Sequence, residues 1–320
     1  MKKAAKIWLI AAASLVFVGI VLFAGVMTKL GWNFEKLSTV NYATNTYEVD
    51  IEFGDISLKT DTADIVFALS NDGKCRVECY EEENAKHTVT ADGGVLSVTA
   101  QERRAWYDYI GFYFGTPRIT VYLPESEYGT LTVSGSVGKV GIPKGFAFDG
   151  VDISLSTGNV DFCASAAGQV KIKTTTGDIR AENIFAGSLD LSVSTGTVTV
   201  SGVSCGGDAA VSVSTGKAYL TNVSCKNVIS NGSTGNISLD GVIADEKLSV
   251  ERSTGEVSFD GCDAAEIYVK TSTGDVTGSF LTDKVFITDT GMGSVDVPKT
   301  SDGGKCEIST ATGNIKFKIG

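Results

Sequence analysis

The chain has 320 residues, 42% of them hydrophobic and 20% charged, which supplies a substantial core and excludes disorder as its general state. Lys and Arg total 27 against 38 Asp and Glu, a formal net charge of −11, so no nucleic-acid partner held by phosphate neutralisation is expected. A single histidine, His87, leaves out histidine-based metal clusters and most Ser-His or Cys-His catalytic sets unless that one residue serves, and no metal or cofactor is expected.

Residues Ile7 to Thr28 carry no charge over 22 positions, enough for a helix at about 1.5 Å per residue to cross a hydrocarbon core of roughly 30 Å. Lys2, Lys3 and Lys6 precede the run, and Trp8 and Trp32 sit near its two ends, where indoles favour the interface. The positive-inside bias predicts a single-pass protein of the bacterial cytoplasmic membrane, with 1–6 as a cytoplasmic tail, 7–28 as the span and the rest extracytoplasmic. A cleaved signal peptide is the alternative. The run exceeds the usual apolar length of such peptides, and Phe23-Ala24-Gly25-Val26-Met27 offers no convincing cleavage site, which favours a retained anchor.

From 38 to 125 the chain alternates with period two, as in Tyr47-Glu48-Val49-Asp50-Ile51 and Val95-Leu96-Ser97-Val98, with hairpin signals at Asn71-Asp72-Gly73 and Asp92-Gly93-Gly94. This predicts a β-rich cap. Within it, Arg103, Arg104, Trp106, Tyr107, Tyr109, Phe112, Tyr113 and Phe114 put six aromatics and two arginines into twelve residues. Trp, Tyr and Arg anchor interfaces, and aromatic faces stack on sugars, so this stretch is a candidate binding loop. The competing reading packs Tyr109, Phe112 and Phe114 under the cap or over its junction with the rod.

Beyond residue 125 a Thr-Gly pair recurs, with its glycine at Gly158, Gly177, Gly196, Gly216, Gly235, Gly255, Gly274, Gly291 and Gly313, in steps of 19, 19, 20, 19, 20, 19, 17 and 22. A fixed period of this size marks a repeat architecture in which each unit covers its neighbour. Apolar residues recur four before the Thr (Ile153, Ile172, Leu191, Val211) and three and five after it (Val160 and Phe162, Ile179 and Ala181), a strand period. About nineteen residues suit neither a propeller blade nor a strand-plus-long-helix unit. The expected fold is therefore all-β: a single-stranded parallel β-solenoid, or β-helix, over 126–320, about 50 Å long at about 4.8 Å per turn. The β-rich N-terminal cap covers one open end, and one transmembrane helix precedes it.

Candidate chemistry in the rod is sparse. Cys205 and Cys225 lie one repeat apart, which leaves a disulfide between adjacent turns open beside the reading that they are small buried residues, since Ala186, Ala244 and Ala264 share their column. Cys163 and Cys262 read as core, Cys75 and Cys79 are too far apart to pair with each other, and no Cys-x-x-Cys exists. The outward position two after each Thr (Asn159, Asp178, Thr197, Lys217, Asn236, Glu256, Asp275) mixes sign and size, as a solvated face does. It forms neither a paired-carboxylate column nor an ice-binding array.

The order of an N-terminal anchor, Gly54-Asp55-Ile56-Ser57-Leu58, the Asp92-Gly93-Gly94-Val95-Leu96 hairpin, Ile119-Thr120-Val121-Tyr122-Leu123-Pro124 and then serial Ser-Thr-Gly turns resembles the bacterial putative-adhesin family of membrane-anchored β-strand-repeat proteins, from about residue 45 to the end. The resemblance implies a cell-surface role and brings no catalytic residues. Such domains also occur in Gram-positive envelope-stress proteins, although the short tail here departs from relatives with a sizeable N-terminal domain. The function expected is a non-catalytic binding or scaffold module at the cell envelope, meeting an envelope glycan or protein. The alternatives are a carbohydrate-active β-helix enzyme and an envelope-stress sensor.

Overall fold

The computed structural model describes residues 3–37, 41–100 and 115–320. Helix α1 (Lys3–Lys29) opens the chain, and its large apolar side chains from Ile7 to Leu22 are each more than half exposed. Over Ala5–Lys29 it is long and apolar enough to cross a membrane, as an anchor or a signal sequence is. A short 3-10 turn, Phe34–Leu37, follows.

The rest of the described chain is β. The first seven strands are β1 (Tyr42–Val49), β2 (Asp55–Thr62), β3 (Asp64–Leu69), β4 (Cys75–Glu82), β5 (His87–Asp92), β6 (Val95–Ala100) and β7 (Arg118–Leu123). The solenoid turns follow as β8 (Glu127–Val137), β9 (Val140–Ile142), β10 (Ala147–Thr157), β11 (Val160–Phe162), β12 (Ser165–Thr176), β13 (Ile179–Glu182), β14 (Phe185–Cys205) and β15 (Asp208–Thr234). They continue as β16 (Ile237–Asp240), β17 (Ile243–Thr254), β18 (Val257–Thr273), β19 (Val276–Phe280), β20 (Lys284–Met292), β21 (Val295–Asp296), β22 (Gly304–Thr312) and β23 (Ile315–Ile319).

Strands from successive turns pair in parallel and make a β-solenoid of about ten turns. Two walls run its length. One reads β5, β6, β2, β8, β10, β12, β14 and onward; the other reads β1, β4, β7, β3, β9, β11, β13 and onward, with the long strands β14, β15 and β18 bending through both. Equivalent residues stack in register along the inside: Ile153, Ile172, Leu191 and Val211 on the first wall, and Ile65, Val140, Val160, Ile179 and Val198 on the second. All are buried, each contributing about 1.5–3 kcal/mol of transfer free energy to a column no single turn could close alone.

Between the walls the chain bends at the Thr-Gly corner, where the glycine N–H donates to the threonine carbonyl of the next turn, as in Gly158 to Thr176 at 2.9 Å and Gly255 to Thr273 at 2.8 Å. Gly216 has φ +138°, and an added Cβ would overlap the Gly196 carbonyl oxygen. The corner column runs in space as Ala63, Gly138, Gly158, Gly177, Gly196, Gly216, Gly235, Gly255, Gly274, Gly313 and Gly293. Near the C-terminus, therefore, Gly293 and not Gly291 stands on the column: Met292 pairs with Thr312, so Thr290-Gly291 falls two residues short of the corner. A second corner lies seven residues past the threonine and adopts the left-handed conformation, at Asn183, Gly202, Asn222, Gly241 and Gly261. Asn and Gly are the residues that tolerate it.

The turns are not stacked in chain order at either end. The turn β22–β23 sits between β18–β19 and β20–β21, so the chain overshoots by one turn and then returns inside it. Phe259, Phe280, Phe286 and Phe317 fill that end, Phe280 and Phe317 stacking at 4.6 Å. At the other end β2–β3 lies between β6–β7 and β8–β9, and the walls finish on the antiparallel strands β5 and β1.

Gly216→Ala meets both the backbone overlap and the positive φ, and lowers stability by about 3 kcal/mol. Gly141→Ala, with open space at its Cβ position and no positive φ, stays within about 0.5 kcal/mol. Denaturant midpoints of the two variants, compared with the parent, check this.

Candidate functional site

Period two sorts the side chains of β1, β4 and β7 onto two faces. Outward lie Tyr42 from β1, Arg76, Glu78 and Tyr80 from β4, and Arg118 and Tyr122 from β7. Tyr42 stacks on Tyr80 at 5.2 Å, and the Arg76 guanidinium lies 4.0 Å from the Tyr122 ring centroid. Arg76 also pairs with Asp72 and Glu78, and the Tyr122 hydroxyl donates to Glu78. Register places Arg118 opposite Tyr80, so arginines and tyrosines alternate over one sheet face.

The sequence-selected loop residues Arg103, Arg104, Trp106, Tyr107, Tyr109, Phe112 and Tyr113 lie outside the described residues. Their flanks do not. The segment leaves at Ala100, the end of β6, and re-enters at Gly115, whose carbonyl accepts a hydrogen bond from Tyr42 at 3.1 Å. The described chain thus resumes at the edge of the tyrosine face.

Along the rod, the outward residues that follow the corner glycine have a local task. Asn159 Oδ1 accepts from the Asp178 N–H (3.0 Å), Asp178 Oδ1 from Thr197 (2.8 Å), Asn236 Oδ1 from Glu256 (3.1 Å) and Asp275 Oδ1 from Asn314 (2.7 Å). Each of these Asn and Asp residues caps the next turn, so their side-chain oxygens are structural acceptors. The sequence signal was present as the repeated Gly-Asn and Gly-Asp pairs, but a single sequence does not show that the acceptor serves the neighbouring turn. A shallow polar groove among Asn159, Asp161, Asp178, Arg180 and Thr197 is crossed by Arg180, paired with Asp161 and Glu182.

Inside the cap the structure gathers three residues that sequence reading left apart. Cys79 and Glu81 of β4 and His87 of β5 are buried, with their ligand atoms within 4.8 Å of one another. Glu81 Oε2 accepts from the His87 backbone N–H (2.6 Å) and lies 2.7 Å from His87 Nδ1, and Oε1 accepts from Asn45 Nδ2 at 2.6 Å. Burial, with Glu81 alongside, pushes the Cys79 thiol up to about 12. Burial likewise raises the Tyr47 phenol, with Glu81 and Cys79 adding to the effect, and Tyr47 donates to the His87 carbonyl. The single histidine leaves out histidine-based clusters unless that one residue serves, and the fold places Cys79 and Glu81 beside it.

All seven cysteines are free thiols. Cys205 and Cys225 face each other across adjacent turns, and the Cys225 thiol is raised by its hydrogen bond with Cys205 and then by burial. Cys163 is half-buried, and Cys262 is fully buried.

The fold and the corner column define a β-solenoid of serial Thr-Gly turns. The chain belongs to the family described as Toastrack DUF4097, whose profile matches residues 53–214. Among solved structures it is similar to a putative adhesin from Bacteroides fragilis, at 16% identity and a TM-score of 0.43 over 87% of this chain and 97% of that one. It is also similar to a putative lipid binding protein from Parabacteroides distasonis, at 19% identity and a TM-score of 0.48 over 75% and 95%. A putative adhesin from Parabacteroides merdae matches at 12% identity and a TM-score of 0.48 over 87% and 96%. No curated protein matches the chain.

Asp178→Ala removes the acceptor for the Thr197 N–H and lowers stability by about 1 kcal/mol. Asp152→Ala, at an exposed position of β10, stays within about 0.5 kcal/mol. Paired denaturant titrations distinguish a structural acid from a solvated one.

Proposed function

We propose that this chain is a membrane-anchored, extracytoplasmic binding module of the bacterial cell envelope with no chemistry of its own. In this reading 1–6 is a cytoplasmic tail, 7–28 a retained anchor, 38–125 a cap that meets the ligand, and 126–320 a rod that acts as scaffold. One observation carries it: the outward face of β1, β4 and β7, where the stacked Tyr42 and Tyr80 stand beside Arg118, at the point where the 101–114 segment rejoins the protein. Aromatic faces stack on pyranose rings, and guanidinium groups form charge-assisted bonds with acidic substituents, so the ligand class is an envelope glycan. The Asp acceptors of the rod support the non-catalytic part of the reading, because the carboxylates of Asp178 and Asp275 bond backbone N–H groups of the neighbouring turn. The exposed apolar length of α1 supports the anchor.

The test uses the detergent-solubilised full chain against peptidoglycan, teichoic acids, neutral glycans, cationic peptides and solubilised membrane proteins. Saturable glycan binding is expected. It weakens by about tenfold or more in Tyr80→Ala/Arg118→Ala and in Trp106→Ala/Tyr107→Ala, with circular dichroism unchanged. Binding that survives both double variants removes the face and loop from the reading, and capture of a membrane protein alone replaces the glycan with a protein partner.

A further inference from the structure

The end of the rod that carries the tyrosine face is also where the two walls part. One wall ends on β5, which pairs with β6, and the other on β1, which pairs with β4. Among the described residues β4 pairs in register with β1 and β7, and β5 with β6, but not β4 with β5, although the chain passes from one to the other through residues 83–86. A groove of about 300 Å³ lies between β1 and β5, lined by Tyr47, Val49, Ile51, Val89 and Ala91. Such an end needs a tie, because a parallel stack that finishes on separate edges frays from them.

The buried cluster lies across that parting. Cys79 and Glu81 belong to one wall, and His87 opens the edge strand of the other. Glu81 is 1% exposed and Cys79 0%. The carboxylate's partners are an amide, a backbone N–H and the imidazole, with neither Lys nor Arg among them. With the His87 imidazole as its one candidate counter-charge, the carboxylate is costly to bury, because a buried ion pair pays desolvation on both partners. The Cys79 sulfur has no hydrogen-bond partner among the described residues. A divalent cation answers both: with one thiolate, one carboxylate and a neutral imidazole it forms a complex of zero net charge, the state a buried site tolerates. Sulfur, nitrogen and oxygen donors together suit zinc, which binds them at about 2.3, 2.0–2.1 and 2.0–2.2 Å with no geometric demand from its d-electrons.

We propose that Cys79, Glu81 and His87 form a zinc site that staples the two walls together at the cap end of the rod. The ligands are Cys79 Sγ, a Glu81 carboxylate oxygen and an imidazole nitrogen of His87. Binding expels the thiol proton as the zinc–sulfur bond forms, so metal uptake releases acid and strengthens as pH rises. Asn45 holds the Glu81 carboxylate and Tyr47 holds the His87 carbonyl, the outer contacts that orient metal ligands.

The experiment uses the full chain in detergent, purified without chelator, then stripped and titrated with cobalt(II) as a spectroscopic substitute for zinc. One equivalent of zinc is expected on the purified protein. Cobalt gives a thiolate-to-metal charge-transfer band in the near ultraviolet and visible d–d bands of tetrahedral intensity. Cys79→Ser abolishes the charge-transfer band, His87→Gln weakens cobalt binding by about tenfold or more, and Cys75→Ser, on the same strand, leaves both unchanged. Should the variants fail to fold, X-ray absorption at the zinc edge of the parent decides: one sulfur scatterer at about 2.3 Å supports the site. A shell without sulfur, a cobalt band that persists in Cys79→Ser, or no bound metal in the parent overturns it.

Discussion

The corner where Thr meets Gly is the contact on which the rest depends. There the glycine N–H of one turn meets the threonine carbonyl of the next at about 3 Å, and the two backbones lie too close for a side chain. Because that contact repeats from turn to turn along the rod, it sets the register of the strands on both sides of it. Register decides which residues stack, and stacking turns isolated apolar residues into continuous columns such as Val160, Ile179 and Val198. The Asn and Asp acceptors just past the glycine secure the same corner from outside by bonding the next turn's N–H. Period, register and core are thus one constraint seen at three distances from the backbone.

A stack held this way is strong in its middle and exposed at its ends, and the two ends are closed by different means. At the C-terminal end the chain places its last strands, β22 and β23, beneath an earlier turn, so the final segment has a neighbour on each side. Four phenylalanines then fill the space where the aliphatic columns stop, offering more buried area per residue than the Val and Ile they follow. At the cap end β2 and β3 are enclosed in the same manner, and beyond β6 and β7 the pairing turns antiparallel. That change of direction ends the parallel stack and leaves edge strands whose outward residues answer to no repeat.

Most of the architecture was legible in the sequence because it follows from periodicity. The uncharged run of 22 residues, the Thr-Gly recurrence and the period-two columns each depend on local spacing, and local spacing survives in the text of the chain. What spacing could not supply was the order of the turns. Gly291 carries a Thr-Gly pair yet misses the column that Gly293 joins, since Met292 takes the threonine's place and only pairing with β22 reveals it. The Cys79, Glu81 and His87 cluster was hidden for a related reason: its members come from strands of different walls that share no ladder, so no fixed spacing announces them. The aromatic and arginine richness of 103–114 was legible as composition, whereas the tyrosine face beside it, assembled from β1, β4 and β7, was not.

The repeat also explains why chemistry gathers in the cap. A column of like contacts admits a large unlike residue only if the neighbouring turn makes room, and Arg252 is an instance. Arg252 points inward on the column that holds Val193 and Val213, and the adjoining position is Gly232, where any side chain would meet the guanidinium. Arg252 Nη1 donates to the Val213 carbonyl at 2.6 Å, while Nε and Nη2 are buried with no partner, and burial lowers its pKa. Burial of Arg252 therefore takes an emptied neighbour and leaves two donors unsatisfied. A constellation of several unlike side chains within the regular turns would require the same concession on every turn it touched; where the rod does bury one, Lys284 with Asp263 and Thr282, it stands at the C-terminal end, where the turns leave chain order. The antiparallel strands of the cap have no repeat to interrupt, so a buried Cys, Glu and His can meet there and a tyrosine and arginine face can form on the outer surface without loosening the stack beneath.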